Sequence, residues 1–88
     1  MEVSVGSVVR SIAGRDKGDD FIVLSLDGAY AYLANGELRK VDTPKKKKLK
    51  HLQPSQKRSE FIINRLNTVG RVTNSEVRKA LAELVGTN

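Results

Sequence analysis

The sequence contains no cysteine, a single histidine and no long apolar run. Without cysteine it has no disulfide framework and no thiolate that could act as a nucleophile or metal ligand. A zinc site built on His51 would need several carboxylate ligands, which is unusual. Residues 1–4 lack the basic region and apolar run of a signal peptide, and no segment is long enough to span a bilayer. We therefore expect a cytoplasmic protein that uses no metal or cofactor and binds no membrane.

Catalytic motifs are absent as well. No nucleophile is accompanied by a plausible base, and the phosphate-binding pattern G-x-x-x-x-G-K-[ST] does not occur. The carboxylates cluster in turn segments, where capping and solubility explain them. A chain of 88 residues also buries only a small core and has little room for an enclosed catalytic cavity. The sequence predicts a protein without enzymatic activity or a small-molecule substrate.

Positive charge is in excess and is concentrated in one stretch. The formal net charge is +6 at pH 7. Residues 39–58 contain nine basic side chains and one acidic side chain, whereas residues 1–38 contain six acidic and three basic ones. A one-sided distribution of this kind is typical of proteins that bind nucleic acid. Acidic membranes are a weaker alternative, because the lysines are not on an amphipathic helix.

The first part of the chain has the pattern of a β-meander. Short β-branched and apolar runs alternate with turn segments, and Asx-Gly pairs at Asp27-Gly28 and Asn35-Gly36 indicate tight hairpins. The pattern predicts strands over residues 5–12, 21–26, 29–33, 37–41 and 48–53. The apolar run 21–26 is typical of a strand buried on both faces. Because short, strongly twisted strands tend to curl into a barrel, we expect a small β-barrel over residues 3–53.

After Pro54 the apolar residues follow a helical period. Ser55 is a candidate N-cap for a helix over residues 56–67. Thr73 and Glu76 fit a capping box at the start of a second helix that Gly86 ends. We expect residues 54–88 to form a two-helix hairpin whose own core contains Phe61, Ile62, Leu81 and Leu84. Its helices must pack on each other, on the barrel or on a partner, because neither would be stable alone.

Several segments, taken together, resemble a known family. Residues 6–18, GSVVRSIAGRDKG, resemble the KOW motif of ribosomal proteins and of NusG-type elongation factors. With GELRK at 36–40 and PKKKKLKHL at 44–52, the order is similar to small bacterial KOW-domain RNA-binding proteins. Those proteins are themselves similar to large-subunit ribosomal proteins of the fourteen-e, six-e and twenty-seven-e type. The resemblance covers residues 5–53 and implies an SH3-like β-barrel whose loops and basic edge lie on ribosomal RNA.

The lysine run, here Lys45 to Lys48 together with Lys50, is the leading candidate for RNA contact. Protection of a sheet edge needs only one or two lysines, so we favour phosphate binding over a merely solvated edge. A similarity to nuclear localisation signals is also present. We expect a change of all five lysines to glutamine to abolish RNA association and leave the fold intact.

Other candidate contacts flank the lysine run. Arg15 and Lys17 lie in the glycine loop, residues 13–20, which the resemblance implies as an RNA contact. The alternative is a polar hairpin in which Asp16 binds backbone amides, and Asp19 and Asp20 would repel phosphate. Candidates of lower weight are Arg10, Arg39, Lys40 and His51. Tyr30 and Tyr32 share a strand face, and we favour a place in the barrel core or rim over a stacking role.

These observations predict a non-catalytic protein that binds structured RNA by shape and phosphate contacts. The resemblance implies that this RNA is ribosomal RNA of the large subunit. The C-terminal helices are a candidate surface for ribosomal proteins. A second hypothesis is a protein-interaction adaptor on the transcription or translation machinery. The two differ in salt response, because phosphate contacts weaken steeply as ionic strength rises and apolar protein contacts do not.

Overall fold

The computed structural model describes residues 2–86 and contains a five-stranded antiparallel sheet followed by two helices. The strand order is β4-β3-β2-β1-β5. The elements are β1 Ser7–Ser11, β2 Asp20–Asp27, β3 Tyr30–Ala34, β4 Lys45–Lys48, β5 Leu52–Arg58, α1 Glu60–Thr68 and α2 Asn74–Leu81. A 3-10 turn, Leu49–His51, joins β4 to β5, and a π-helical turn, Ala82–Gly86, follows α2. The predicted mainly β fold with a small helical appendage is thereby confirmed.

The strand predicted over residues 37–41 does not form. The Asn35 side chain instead accepts hydrogen bonds from the backbone N–H groups of Glu37 and Arg39, at 3.0 and 2.9 Å. An asparagine that binds nearby amides in this way offers the backbone an alternative to a sheet ladder. Residues 35–44 are therefore a loop, called the 35–44 loop below, and the second predicted hairpin is wrong.

The last predicted strand, residues 48–53, is also wrong, because two strands occupy this region. β4 pairs with β3 and β5 pairs with β1, so the two strands lie at opposite edges of the sheet. Ser55 lies within β5, where its hydroxyl donates to the Val8 carbonyl at 2.7 Å. It is therefore not the helix cap. Ser59 caps α1 instead, accepting from Ile62 N, and the predicted boundary at 53/54 falls inside β5.

The sheet is strongly curled but not closed. A flat sheet of five strands would separate its edge strands by about 19 Å, at about 4.8 Å per strand spacing. The three residues between β4 and β5 advance the chain by only about 6 Å in a 3-10 turn. The two edges must therefore approach each other at this corner, although no ladder joins them within residues 2–86.

Two apolar cores lie on the two faces of the sheet. The core on the inner face of the curl comprises Val9, Phe21, Val23, Ala31, Leu33 and Leu52. The core on the outer face comprises Val8 and Ile22 of the sheet with Ile62, Val72, Val77 and Ala80 of the helical segment. The helices therefore pack on the sheet and share a core with it. This packing explains why β2 is buried on both faces at Phe21, Ile22 and Val23 only.

Each helix contributes one narrow apolar stripe to that outer core. The capping box of α2 is as predicted, since Thr73 Oγ1 accepts from Glu76 N and Glu76 accepts from Thr73 N. In α1, Ile62 is fully buried, whereas Phe61 is 54% exposed and its ring lies 5.8 Å from the Arg65 guanidinium. The predicted core position of Phe61 is thus wrong. No helix in residues 2–86 combines the length and apolar character needed to cross a bilayer.

Candidate nucleic-acid interface

The lysine run divides between the two faces of the sheet. Side chains alternate along a strand, and residues directly opposite in an antiparallel pair point to the same face. Lys45 and Lys47 pair with Leu33 and Ala31 and point to the inner face. Lys46 and Lys48 pair with Tyr32 and Tyr30 and point to the outer face. The run is therefore two short rows of charge and not one.

Lys47 is buried and already engaged. Its side chain is 8% exposed, and its ammonium donates to Asp16 Oδ1 and to the Ala13 carbonyl, each at 2.8 Å. Lys45 Nζ lies 3.4 Å from Asp16 Oδ2. These two lysines hold the glycine loop against β4. Because Lys45 and Lys47 contact Asp16, two of the five lysines contribute to the fold, which argues against the expectation that five glutamines would leave it intact.

Asp16 is the acidic partner of this network. Its carboxylate also accepts from Ser11 Oγ at 2.7 Å, so it contacts side chains and not the loop amides of the alternative interpretation. Burial alone would raise the pKa of the carboxyl. The hydrogen bonds from Lys47 and Ser11 and the charges of Lys47 and Lys45 outweigh burial and lower the pKa from 3.8 to about 2. The carboxylate is therefore ionised throughout the physiological range.

A shallow cleft brings together three candidate residues that are distant in sequence. Arg15 from the glycine loop, Arg39 from the 35–44 loop and Lys45 from β4 all line it. Leu38, at the same cleft, is 90% exposed. Asp16 and Asp19 are also lining residues, so the cleft contains both signs of charge. This basic cleft, as we call it, is a site that could hold a phosphate against Arg15 and Arg39.

Helix α2 fixes one wall of the basic cleft. Arg78 Nη1 donates to the Gly36 carbonyl and Val41 N donates to Asn74 Oδ1, each at 2.8 Å. Gly36 has a φ of +81° and lies so close to α2 that a Cβ there would be 2.5 Å from the Asn74 carbonyl oxygen. Helix α2 therefore anchors the loop on both sides of Arg39, whose own backbone is held by Asn35. Sequence reasoning missed Asn74 and Arg78, since nothing local connects them to the loop.

The outer face of β3 and β4 carries a second cluster. We call Tyr30, Tyr32, Lys46 and Lys48 the tyrosine–lysine face. Lys46 Nζ lies 4.6 Å from the centroid of the Tyr30 ring, in a cation–π contact. Both tyrosines are half-buried, and both lysines are exposed. Tyr30 and Lys48 also line a shallow cleft with Ala29, Leu49 and Lys50.

No known family matches this chain, and no curated protein is significantly similar to it.

The remaining candidates lie outside both clusters. Arg10 on β1 is paired with Asp20, its Nε 2.9 Å from the carboxylate. His51 is half-buried in the 3-10 turn, and its carbonyl accepts from Ile12 N. Lys17 and Lys40 are exposed in the two loops but do not line the basic cleft. The structure thus places Arg15, Arg39 and Lys45 together, and Lys46, Lys48 and Lys50 together.

Proposed function

We propose that the protein binds RNA without catalysing a reaction, in the cytoplasm, and that its ligand is ribosomal RNA of the large subunit. The fold we propose is an SH3-like barrel. Its support is the strand order β4-β3-β2-β1-β5 and the single 3-10 turn that carries the chain between the two edge strands. The proposal as a whole agrees with the resemblance to KOW-domain proteins over residues 5–53.

One observation carries the proposal. Lys46, Lys48 and Lys50 are exposed, lie in consecutive elements at one sheet edge, and have no carboxylate within 4.0 Å among residues 2–86. Neighbouring like charges repel one another, and a polyanion relieves that repulsion. Lysine is a compact charge suited to phosphate contacts that carry no base specificity.

The basic cleft extends this surface across β4. Lys45 lines the cleft and is the chain neighbour of Lys46 on the tyrosine–lysine face. A ligand that follows the edge of the sheet would therefore meet cations on both sides of β4. Arginine binds phosphate in a planar, two-pronged geometry, so Arg15 and Arg39 suit a fixed phosphate at the cleft.

The test compares two triple variants with the same change in net charge. The first is Lys46→Gln, Lys48→Gln, Lys50→Gln; the control is Lys57→Gln, Arg58→Gln, Lys79→Gln, at exposed positions on β5 and α2. Lysates are sedimented through sucrose gradients at low and high salt. We expect the wild type and the control to co-migrate with the large subunit at low salt only, and the first variant to stay at the top. Co-sedimentation of the first variant at low salt would overturn the proposal.

The adaptor hypothesis has one observation in its favour. The exposed Phe61 lines a groove with Ser75, Lys79, Ala80 and other residues of the two helices. A protein that bound there would make apolar contacts, which high salt does not weaken. A complex that survives high salt and is lost in Phe61→Ser would support the adaptor function in place of RNA binding.

A further inference from the structure

We infer that the tyrosine–lysine face binds unpaired nucleotides, with bases stacked on Tyr30 and Tyr32 and phosphates on Lys46 and Lys48. This inference rests on the proposed function and names its substrate class as single-stranded or looped nucleic acid. Phosphate contacts alone do not distinguish paired from unpaired strands. The spacing of the two tyrosine rings does distinguish paired from unpaired strands.

The two rings are spaced for bases that do not stack on each other. Tyr30 and Tyr32 are two residues apart on β3, so they project from the same face about 7 Å apart. Successive bases in a DNA duplex are only about 3.4 Å apart along the axis, and those in an A-form RNA duplex are closer still. A strand that used both rings would therefore have to separate its bases, which an unpaired segment can do and a duplex cannot.

A row of positive charge runs beside the row of rings. Lys46 lies opposite Tyr32 and Lys48 lies opposite Tyr30, one strand spacing away, or about 4.8 Å. On the other side of β3, Ser25 lies opposite Tyr32 and Asp27 lies opposite Tyr30. Cations thus flank the rings on the β4 side only. A bound strand would have its phosphates over β4 and its bases over β3.

The helices leave this part of the outer face uncovered. The outer core takes up Val8 and Ile22, at the other end of the same face, and contains neither tyrosine. Ser25 and Asp27, beside the rings, are exposed. The cleft lined by Ala29, Tyr30, Lys48, Leu49 and Lys50 continues the surface at the end of β3. A base at Tyr30 would find an apolar floor there and two ammonium groups beside it.

The Lys46 ammonium has one position in the free protein and another in the proposed complex. In the free protein its ammonium lies over the Tyr30 ring. Base–aromatic stacking is tolerant of sequence, because every base has a π-face. When a base stacks on the Tyr30 ring, the Lys46 ammonium moves to the adjacent phosphate. Tyr30 therefore exchanges a cation for a base, and its surroundings change on binding.

Tyrosine fluorescence reads this change directly. The chain has two tyrosines and no tryptophan, and both tyrosines belong to the tyrosine–lysine face. The wild-type protein is titrated with a single-stranded pyrimidine RNA, with a blunt RNA duplex of equal phosphate number, and with inorganic polyphosphate. We expect the single strand to bind most tightly and to quench the emission. Polyphosphate should bind without that quenching, since it has no bases.

Variants separate stacking from charge. Tyr30→Leu with Tyr32→Leu, measured by anisotropy of a labelled strand, should weaken single-strand binding about 10- to 100-fold. The slope of log affinity against log salt should not change, because no phosphate contact is lost. Tyr30→Phe with Tyr32→Phe keeps both rings and should bind as the wild type does. Melting of each variant checks the fold, and the wild-type fluorescence titration holds even where a variant does not fold.

The possible outcomes distinguish the two proposals. If the wild type binds none of the three ligands, the proposed RNA binding fails. If it binds the duplex as tightly as the single strand, without quenching, and the leucine variant binds normally, only the present inference is overturned. Preference for the single strand, quenching by it, and loss of affinity in the leucine variant would together support the inference.

Discussion

Two adjacent lysines of β4 have opposite environments, and the difference follows from the pleat of the strand. Lys47 points inward and is paired with Asp16, whereas Lys46 points outward beside Tyr30. Burying an ammonium is tolerated only when its charge is paired and its protons are hydrogen-bonded. Residues of one type in one run therefore divide into a structural part and a surface part.

Single substitutions at these two positions should have opposite effects. Lys47→Gln leaves Asp16 without its closest cation. We therefore expect the free energy of unfolding, measured in urea, to fall by about 2 to 4 kcal/mol. Lys46→Gln is a surface change and should alter stability by less than about 0.5 kcal/mol. At temperatures where both variants are folded, Lys46→Gln should lower RNA affinity more than Lys47→Gln does. Equal stabilities of the two variants would contradict the structural role of Lys47.

The Asp16 carboxyl should make stability depend on pH at the acidic end. Its pKa is about 2 in the folded protein and near 3.8 when unfolded, so its stabilising contribution is fully present above about pH 4. That contribution is lost as pH falls towards 2. Urea unfolding between pH 2 and pH 5 measures it. Asp16→Asn should flatten the curve in this range.

At the scale of elements, α2 and the 35–44 loop form one unit. The loop has no strand or helix of its own. The Asn35 side chain shapes residues 35–39 from within, and Asn74 and Arg78 anchor the loop to α2. A Cβ added at Gly36 would lie 2.5 Å from the Asn74 carbonyl oxygen, so the loop backbone packs directly on α2 there. Because Arg39 lies on this loop, the packing of α2 and the geometry of the basic cleft are coupled.

Substitution of Gly36 should lower stability more than substitution of Gly18, which also has a positive φ but no close neighbour. Gly18 has a φ of +93° with no atom within 4 Å of an added Cβ, so Gly18→Ala meets conformational strain alone, about 1 kcal/mol. Gly36→Ala meets that strain and a clash with the backbone of α2, so the loss should be about 3 kcal/mol or more. Thermal melting of the two variants tests this. A smaller loss at Gly36 would mean that the loop does not dock on α2.

At the scale of the whole molecule, the exposed Lys46, Lys48 and Lys50 lie at one edge of the sheet, and the salt dependence of binding measures how many of them contact phosphate. Each phosphate contact on a single strand contributes about −0.7 to the slope of log affinity against log salt. Lys48→Gln should therefore make the slope about 0.7 less steep, and Lys57→Gln on β5 should leave it unchanged. An unchanged slope in Lys48→Gln would remove that lysine from the interface.

Features that depend on neighbours in the chain could be predicted from the sequence, and features that depend on distant residues could not. The hairpin at Asp27-Gly28 and the capping box at Thr73 depend on neighbours in the chain, and both were predicted. The burial of Lys47 depends on Asp16, 31 residues away, and the loop geometry depends on Arg78, 42 residues from Gly36. The pairing of tyrosines with lysines requires the register of β3 and β4. No local pattern contains these distances, so only the candidate residues could be predicted and not their grouping.

The dependence of the 35–44 loop on α2 has a consequence for synthesis of the chain. Arg15, Arg39 and the lysines leave the ribosome well before Arg78, and 42 residues separate Gly36 from the side chain that holds its carbonyl. At ordinary elongation rates that interval is on the order of a few seconds. During it, the two walls of the basic cleft are not yet fixed relative to each other. A nascent chain therefore acquires its complete basic surface only after Arg78 has left the ribosome and bound the Gly36 carbonyl.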